Sequence, residues 1–524
     1  MNGADHLVHS LLAGEVDVCF ANPGTSEMHF VAALDRNEGM RCVLGLFEGV
    51  VTGAADGYWR MARRPAATLL HLGPGLGNGL ANLHNARKAR SGIVNVVGEH
   101  ALDHIALDAP LTADIEGIAR PVSHWVRTTR SALAVGPDTR DAIAAACAPP
   151  GSVATLILPA DAAWGELPAG HRLPAPGTQP PVRAYRGLDP DRIVRCAKGL
   201  RGPGLTLLLL GGDAATPAAL ESAGRVASAT GCGLMSEFYM PRLARGAGRV
   251  IAPRVPYAVD PALAALAPFK RIVLVGARDP VAFFAYPGKP GRLSPPGCEL
   301  LTLAEPDQDL EAALAALADE LGAPPVAPAA IAQRQRVGRS ALPTGVPDSA
   351  GIAAVLTEFM PEQAIVVDEA VSVGRAFGPA TVGAAPHDWL TVMGGSIGFG
   401  LPAAIGAAVA APDRKVVALE GDGSAMYTIQ SLWTMAREGL DVAVVILANR
   451  AYQILRGEFS GVGAGAPGRR ATDMLTLDRP ALDFVAIARG MGIEADRAEN
   501  LSDFARLFER ACAQRGPMLI ELVI

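Results

Sequence analysis

Two oxygen-bearing side chains late in the chain, Asp422 and Asn449, each follow a short apolar run. Lys415–Leu419 leads into Gly421-Asp422-Gly423-Ser424, Val442–Leu447 leads to Asn449, and a helical pattern around Ile429–Arg437 separates them. Read as one βαβ unit, its right-handed crossover makes the strands parallel and brings both residues to strand carboxyl ends, where open α/β sheets bind ligands. A carboxylate and an amide oxygen there suit Mg²⁺, which takes oxygen ligands in near-octahedral array and shares them with phosphates. A diphosphate and a backbone carbonyl just past Asn449 would complete the set. The flanking glycines permit close backbone approach, and Ser424 with the amides after it, at a helix N-terminus, offers donors to phosphate oxygens. Asp-Gly is also an ordinary turn signal, so the tetrapeptide alone admits a purely structural reading.

Other stretches carry chemistry-bearing residues. Glu48 opens a helical run after Cys42–Leu46 and Phe47, either as a carboxylate at a buried sheet edge or as a helix-start acid complementing the dipole. His71 ends an apolar run and enters the turn Leu72-Gly73-Pro74-Gly75-Leu76-Gly77-Asn78, and Asn22-Pro23-Gly24-Thr25-Ser26-Glu27 is a second loop after a strand. A strand-end histidine is either a satisfied structural residue or an acid–base group. Met393 to Gly406 is a glycine-rich turn feeding an apolar helix, which by itself describes close helix–sheet packing.

Positioning these residues requires parallel sheets. Short apolar runs alternate with helical patterns throughout: Asp17–Phe20, Cys42–Leu46, Ala67–Leu72, Ile93–Val97 and Val153–Leu158, then Leu205–Leu210 and Arg271–Val275, then Ala364–Val367, Lys415–Leu419, Val442–Leu447 and Met518–Val523. Pro- and Gly-rich stretches at Leu167–Pro181 and Gly322–Pro347 divide the chain into blocks 1–165, 185–322 and 346–524. The expected fold is α/β, with three doubly wound domains.

Gly-Asp-Gly-Ser followed by Asn after a helix and strand resembles the thiamine diphosphate motif of the acetolactate synthase, pyruvate decarboxylase and benzoylformate decarboxylase superfamily. The resemblance implies pyrimidine-binding, central and diphosphate-binding domains, with Mg²⁺ held by Asp422, Asn449 and the carbonyl of Ala451. The usual Asn-Asn pair reads Ala448-Asn449 here, keeping the metal-binding second member. It further implies that Ile397 is the apolar wedge bending the cofactor, that Gly395 accepts from its exocyclic amine, and that Ser372 reaches the diphosphate. Gly421, Gly423, Ser424 and Tyr452 complete the cofactor-binding set. Glu48, followed by Ala55-Asp56-Gly57-Tyr58, looks like the family's catalytic glutamate, which works best where apolar surroundings raise its pKa. In the family this acid and the diphosphate site come from different subunits, implying a homodimer or homotetramer with active sites at the interface.

The substrate end resembles benzoylformate decarboxylases most: Thr25 stands for the serine of Asn-Pro-Gly-Ser, and His71 for a catalytic histidine. Ala285 falls where that branch has a second histidine, and Phe283, Phe284 and Tyr286 read as core aromatics. Acetolactate synthases place His before the glutamate and Gln after it, whereas this chain has Phe47 and Gly49. FAD is therefore doubtful. The expected activity is decarboxylation or carboligation of a 2-oxo acid. An acetolactate synthase-like carboligase, with or without FAD, is the alternative, and a non-catalytic cofactor-binding protein the second.

Composition narrows the classes. With 50% hydrophobic and 19% charged residues and a net charge of −6, the chain describes a globular protein with no electrostatic call for nucleic acid. Seven cysteines without paired spacing read as buried residues in a reducing compartment. Asp5 and Glu15 interrupt the N-terminal apolar pattern and no apolar run spans a bilayer, predicting a soluble cytoplasmic protein without membrane association.

Overall fold

The apolar runs become parallel strands with helices on both faces, which is why most read as continuous hydrophobic stretches and not as alternating ones. The computed structural model describes residues 1–327 and 331–524, so the stretch Gly322–Pro347 lies in part, at 328–330, outside the described residues. The first sheet is all parallel: β1 (Val18–Ala21), β2 (Arg41–Leu44), β3 (Ala66–Leu70), β4 (Ile93–Glu99), β5 (Trp125–Thr128) and β6 (Val153–Pro159), in the order β2-β1-β3-β4-β6-β5. β3, β4 and β6 are buried throughout. β2 is an edge strand with Arg41 and Cys42 exposed, against the expectation of a buried strand, and of buried cysteines, there.

Next come β7 (Thr206–Leu210), β8 (Gly233–Ser236), β9 (Leu243–Arg245), β10 (Arg271–Val275) and β11 (Glu299–Ala304). Four of them form a parallel sheet ordered β11-β10-β7-β8, whereas β9 joins the last sheet. That sheet contains β12 (Ala364–Glu369), β13 (His387–Thr391), β14 (Val416–Gly421), β15 (Val442–Ala448), β16 (Glu494–Ala498) and β17 (Met518–Val523), ordered β16-β17-β15-β14-β12-β13-β9 and parallel except for β9. The strands absent from the sequence reading, such as β13 and β16, carry charged residues that break the apolar pattern.

In each sheet the strand order reverses at one point: between β1 and β3, β7 and β10, and β12 and β14. Loops diverge there and leave a crevice beyond the strand carboxyl ends. The first crevice is flanked by Asn22–Glu27 and His71, the second by Gly211-Gly212 and Gly276, and the third by Ala370–Ser372 and the residues from Asp422 onward.

Helix Glu48–Ala62 of the first block packs along helix Gly400–Ala410 of the last. A methyl group on Gly57 would stand 2.1 Å from Ala403 O, and one on Gly406 1.9 Å from Ala54 O, so glycine alone permits this approach. The buried pair Asp56–Arg60 (2.7 Å) fastens the contact, because Arg60 Nη1 also donates to Thr391 O at 2.6 Å and Ser91 Oγ to Asp56 Oδ1 at 2.5 Å. Buried charges are tolerable only when so completely partnered.

Candidate active site

At the third crevice, β14 and β15 are adjacent and parallel, pairing Gly421 with Leu447, and so carry Asp422 and Asn449 to neighbouring strand ends. Asp422 is 3% exposed; its oxygens accept from Gly423 N at 2.9 Å and Arg450 N at 2.5 Å. Burial pushes its carboxyl pKa up despite those amides. Asn449 Oδ1 accepts from Ala451 N at 3.0 Å, and the left-handed Arg450 (φ 55°) between them turns the chain sharply. The Tyr452 ring lies on Gly423, where a methyl group would meet it at 2.6 Å, and Ser424 is buried. The expected helix start differs: Asp422–Ala425 is a single turn, and the crossover helix begins only at Ser431.

Below this crevice lies a pair of acids that the sequence reading passed over. Glu369 and Glu420 are register partners on β12 and β14, and both are buried. Glu369 accepts from Phe399 N at 3.2 Å and Gly400 N at 2.9 Å, while neither oxygen of Glu420 has a hydrogen-bond partner among the described residues. Burial pushes Glu369 up to about 7 and raises Glu420 well above the usual carboxylate range, with the charge of Glu369 adding to the latter.

The Gly394–Gly400 turn is gripped by helix Leu72–Ala89. Gly395 (φ 72°) and Gly398 (φ 91°) adopt the left-handed backbone that the turn needs, leaving Ile397 half-buried. Asn85 Nδ2 donates to Ser396 O at 2.8 Å, and Asn82 Nδ2 donates both to Gly398 O at 3.0 Å and to Gly49 O at 2.8 Å. The neighbours of Ile397 and Glu48 thus hang on one amide group. Glu48, 8% exposed, accepts from Asn78 Nδ2 at 3.0 Å. Asn78, Asn82 and Asn85 follow an i, i+4, i+7 spacing that marks one helix face, a signal the sequence carried. No hydrogen bond among the described residues joins Glu48 to Asp422 or Asn449.

At the first crevice, His71 Nδ1 stands 2.8 Å from Glu27 Oε2, which also accepts from Gly24 N at 2.8 Å. Gly24 backs the imidazole and Gly98 backs Glu27 Oε1; a methyl group at either would collide. Burial raises the pKa of Glu27, opposed by His71. Leu72, immediately after the histidine, has φ 49°, an uncommon conformation for a branched side chain and one that fixes the turn. Thr25 opens the short 3₁₀ turn Thr25–Glu27 and is exposed. His100, just past β4, adds an imidazole whose Nε2 is buried without a partner among the described residues. Glu27 and His100 had no assigned role in the sequence; the fold alone brings them beside His71.

Ser372 lines a cavity of about 400 Å³ with Tyr257, Tyr286, Arg375 and Gln453. Phe283 and Phe284, expected in the core, are 40% and 50% exposed, and the Phe283 ring faces Gly395. Phe284, Phe283, Tyr239 and Phe238 form a chain of edge-on rings beside the turn. Tyr286, on the same loop, donates to Glu458 Oε2 at 2.9 Å.

The family descriptions "Thiamine pyrophosphate enzyme, N-terminal TPP binding domain" and "C-terminal TPP binding domain" match residues 1–118 and 378–522. The chain is 52% identical over 527 residues (100% of this chain, 99% of the relative) to a Mycobacterium tuberculosis protein provisionally named acetolactate synthase large subunit IlvX. It is 32% identical over 533 residues (96% and 95%) to a Pseudomonas aeruginosa benzoylformate decarboxylase. Its structure is similar to that of a thiamine diphosphate-dependent 4-hydroxybenzoylformate decarboxylase of Rhodococcus jostii, with TM-score 0.82, 27% identity and coverage of 99% and 98%. The chain therefore belongs to the thiamine pyrophosphate enzymes, related at once to acetolactate synthase and to benzoylformate decarboxylase.

Proposed function

We propose that the protein is a thiamine diphosphate- and Mg²⁺-dependent enzyme that decarboxylates a 2-oxo acid, benzoylformate decarboxylase-like in its substrate end. The observation that carries this reading is the His71–Glu27 pair beside Thr25, at a sheet switch point. The residues present fit the cofactor's metal: among the described residues Asp422 is a buried carboxylate satisfied only by amides, so a divalent cation beside it offsets the desolvation that raises its pKa. Asp422, Asn449 and the carbonyl of Ala451 would hold Mg²⁺, with Gly421, Gly423, Ser424, Ser372 and Tyr452 around the diphosphate. Ile397 and Gly395 would orient the rings.

Thiamine diphosphate, when bound, supplies an electron sink for the loss of CO₂ from a 2-oxo acid. Glu48 holds a proton at the far pyrimidine nitrogen, with Asn78 keeping its carboxylate in place. His71, oriented through Nδ1 by Glu27, leaves Nε2 free to bind the substrate carboxylate or move a proton at the substrate oxygen, and Thr25 offers a hydroxyl to the same group. We assign the blocks 1–165, 185–322 and 346–524 to pyrimidine, central and diphosphate functions, in a homodimer or homotetramer that lies in the cytoplasm.

A carboligase outcome has its own support: the acetolactate synthase-named relative and Ala285 in place of a histidine. Its FAD variant has a location too, a basic cavity of about 460 Å³ at the middle switch point, lined by Gly212, Gly276, Arg87, Arg90 and Arg278. Purified protein, saturated with cofactor and Mg²⁺, should be offered pyruvate, branched-chain and aromatic 2-oxo acids. CO₂ with free aldehyde supports decarboxylation; a coupled hydroxyketone or 2-hydroxy-3-oxo acid product supports carboligation; no CO₂ from any of them defeats both. Visible flavin absorbance in the purified protein separates the FAD variant.

A further inference from the structure

A third cavity, of about 500 Å³, lies between the Leu243–Pro261 segment and the turn around Arg375–Val382. Its walls are mostly apolar, including Leu243, Val250, Val255, Pro256 and Val382, yet four arginines line it: Arg245, Arg249, Arg254 and Arg375. Among the described residues none of the four forms an ion pair. Arg245 is 8% exposed; its Nη2 donates to Gly378 O and Thr381 Oγ1, while its Nε is buried with no partner among the described residues.

Three of these guanidinium groups lie over aromatic rings: Arg245 over Trp389 at 4.7 Å, Arg254 over Phe238 at 5.3 Å and Arg375 over Tyr257 at 4.3 Å. Stacking orients a guanidinium and leaves its edge donors free, but it does not neutralise the charge. The carboxylate of Asp368 lies within Coulombic reach of Arg254 and Arg245, but its oxygens already accept from Trp389 Nε1 at 3.0 Å and Ala370 N at 3.1 Å; Glu458, which shares the Ser372 cavity with Arg375, already accepts from Tyr286. Burial and the repulsion of Arg254 bring Arg245 down to about 9, the direction expected of a cation short of counter-charge. Like charges gathered at an apolar wall, one of them buried with a free donor, favour an anion that completes the arrangement.

We propose that this cavity binds an organic carboxylate with an apolar body, of the arylalkanoate class, at a site that adjoins the Ser372 cavity and is built without Asp422, Asn449 or His71. The planar forks of arginine match a carboxylate in two-point fashion, and the proline and valine walls suit a hydrocarbon or ring. The volume falls in the range of small-molecule sites. Arg375 belongs to the 3₁₀ turn Val373–Ala376 directly after Ser372 and also lines the cavity beside Ser372, so an occupant here touches the element that carries that serine.

The test is calorimetric titration of the cofactor-loaded enzyme with 4-phenylbutyrate, its neutral amide and inorganic phosphate. The carboxylate is expected to bind once per chain, and the amide and phosphate at least about tenfold more weakly, since each lacks one half of the recognition. Arg245→Met and, independently, the exposed Arg375→Gln should each weaken the carboxylate about tenfold. A thermal melt of Arg375→Gln matching wild type separates lost binding from lost fold. Asp422→Ala should retain the binding, which distinguishes failure here from failure of the active-site reading. Equal affinity for the amide, unchanged binding in both arginine variants, phosphate binding as tightly, or loss of binding in Asp422→Ala each overturn the proposal.

Discussion

His71 Nδ1 and Glu27 Oε2 stand 2.8 Å apart at the crevice where the first sheet reverses its winding, one residue from each flanking loop. Glu27 is enclosed by Gly24 and Gly98 and held by the Gly24 amide, which leaves its carboxylate aimed at the imidazole, where it fixes which nitrogen faces out. Glu27→Gln should therefore lower kcat by about a hundredfold with KM nearly unchanged, the size of a misoriented acid–base group. Steady-state kinetics over a pH series measures it, and an unchanged kcat and pH profile would remove Glu27 from the mechanism.

Glu48→Gln and Asp422→Ala should each be inactive alone, the first retaining cofactor. If acid and metal ligand act across a subunit boundary, co-expression of the two variants restores about a quarter of wild-type activity, because random pairing gives half mixed dimers with one intact site each. Mixed assemblies that stay inactive would place both groups in one chain's site.

The Glu369–Glu420 pair makes stability depend on pH in a defined direction. A carboxyl whose folded pKa is raised binds its proton more tightly when folded, so its stabilising contribution is full below the ordinary value of 4.5 and is lost as pH rises toward about 7 for Glu369. Urea unfolding at pH 5 to 8 should show this decline, and Glu420→Gln should flatten it and raise stability at pH 8. A variant that keeps the wild-type slope would assign the dependence elsewhere.

The contact between helices Glu48–Ala62 and Gly400–Ala410 has no spare volume at Gly406, where an added methyl meets Ala54 O at 1.9 Å. Gly406→Val should cost about 3 kcal/mol or more, at the upper end of overpacking, and lower cofactor affinity along with the unfolding midpoint. Denaturant midpoints with and without cofactor measure both effects. An unchanged midpoint would mean that the two blocks are not rigidly joined there.

The α/β class, the strands Arg271–Val275 and Met518–Val523 to the residue, and the strand-end positions of Asp422, Asn449 and His71 were all legible in the amino-acid order. They were legible because a strand buried on both faces is a continuous apolar run, and because loops at its carboxyl end announce themselves through glycine and proline. Tertiary structure alone decided the rest. Glu27, His100 and the Glu369–Glu420 pair gain their character from strands distant in sequence becoming neighbours, and a raised pKa is a property of surroundings that no local pattern encodes. Phe283 and Phe284, apolar enough for any core, lie on a loop beside Gly395, because hydrophobicity favours burial without specifying what does the burying.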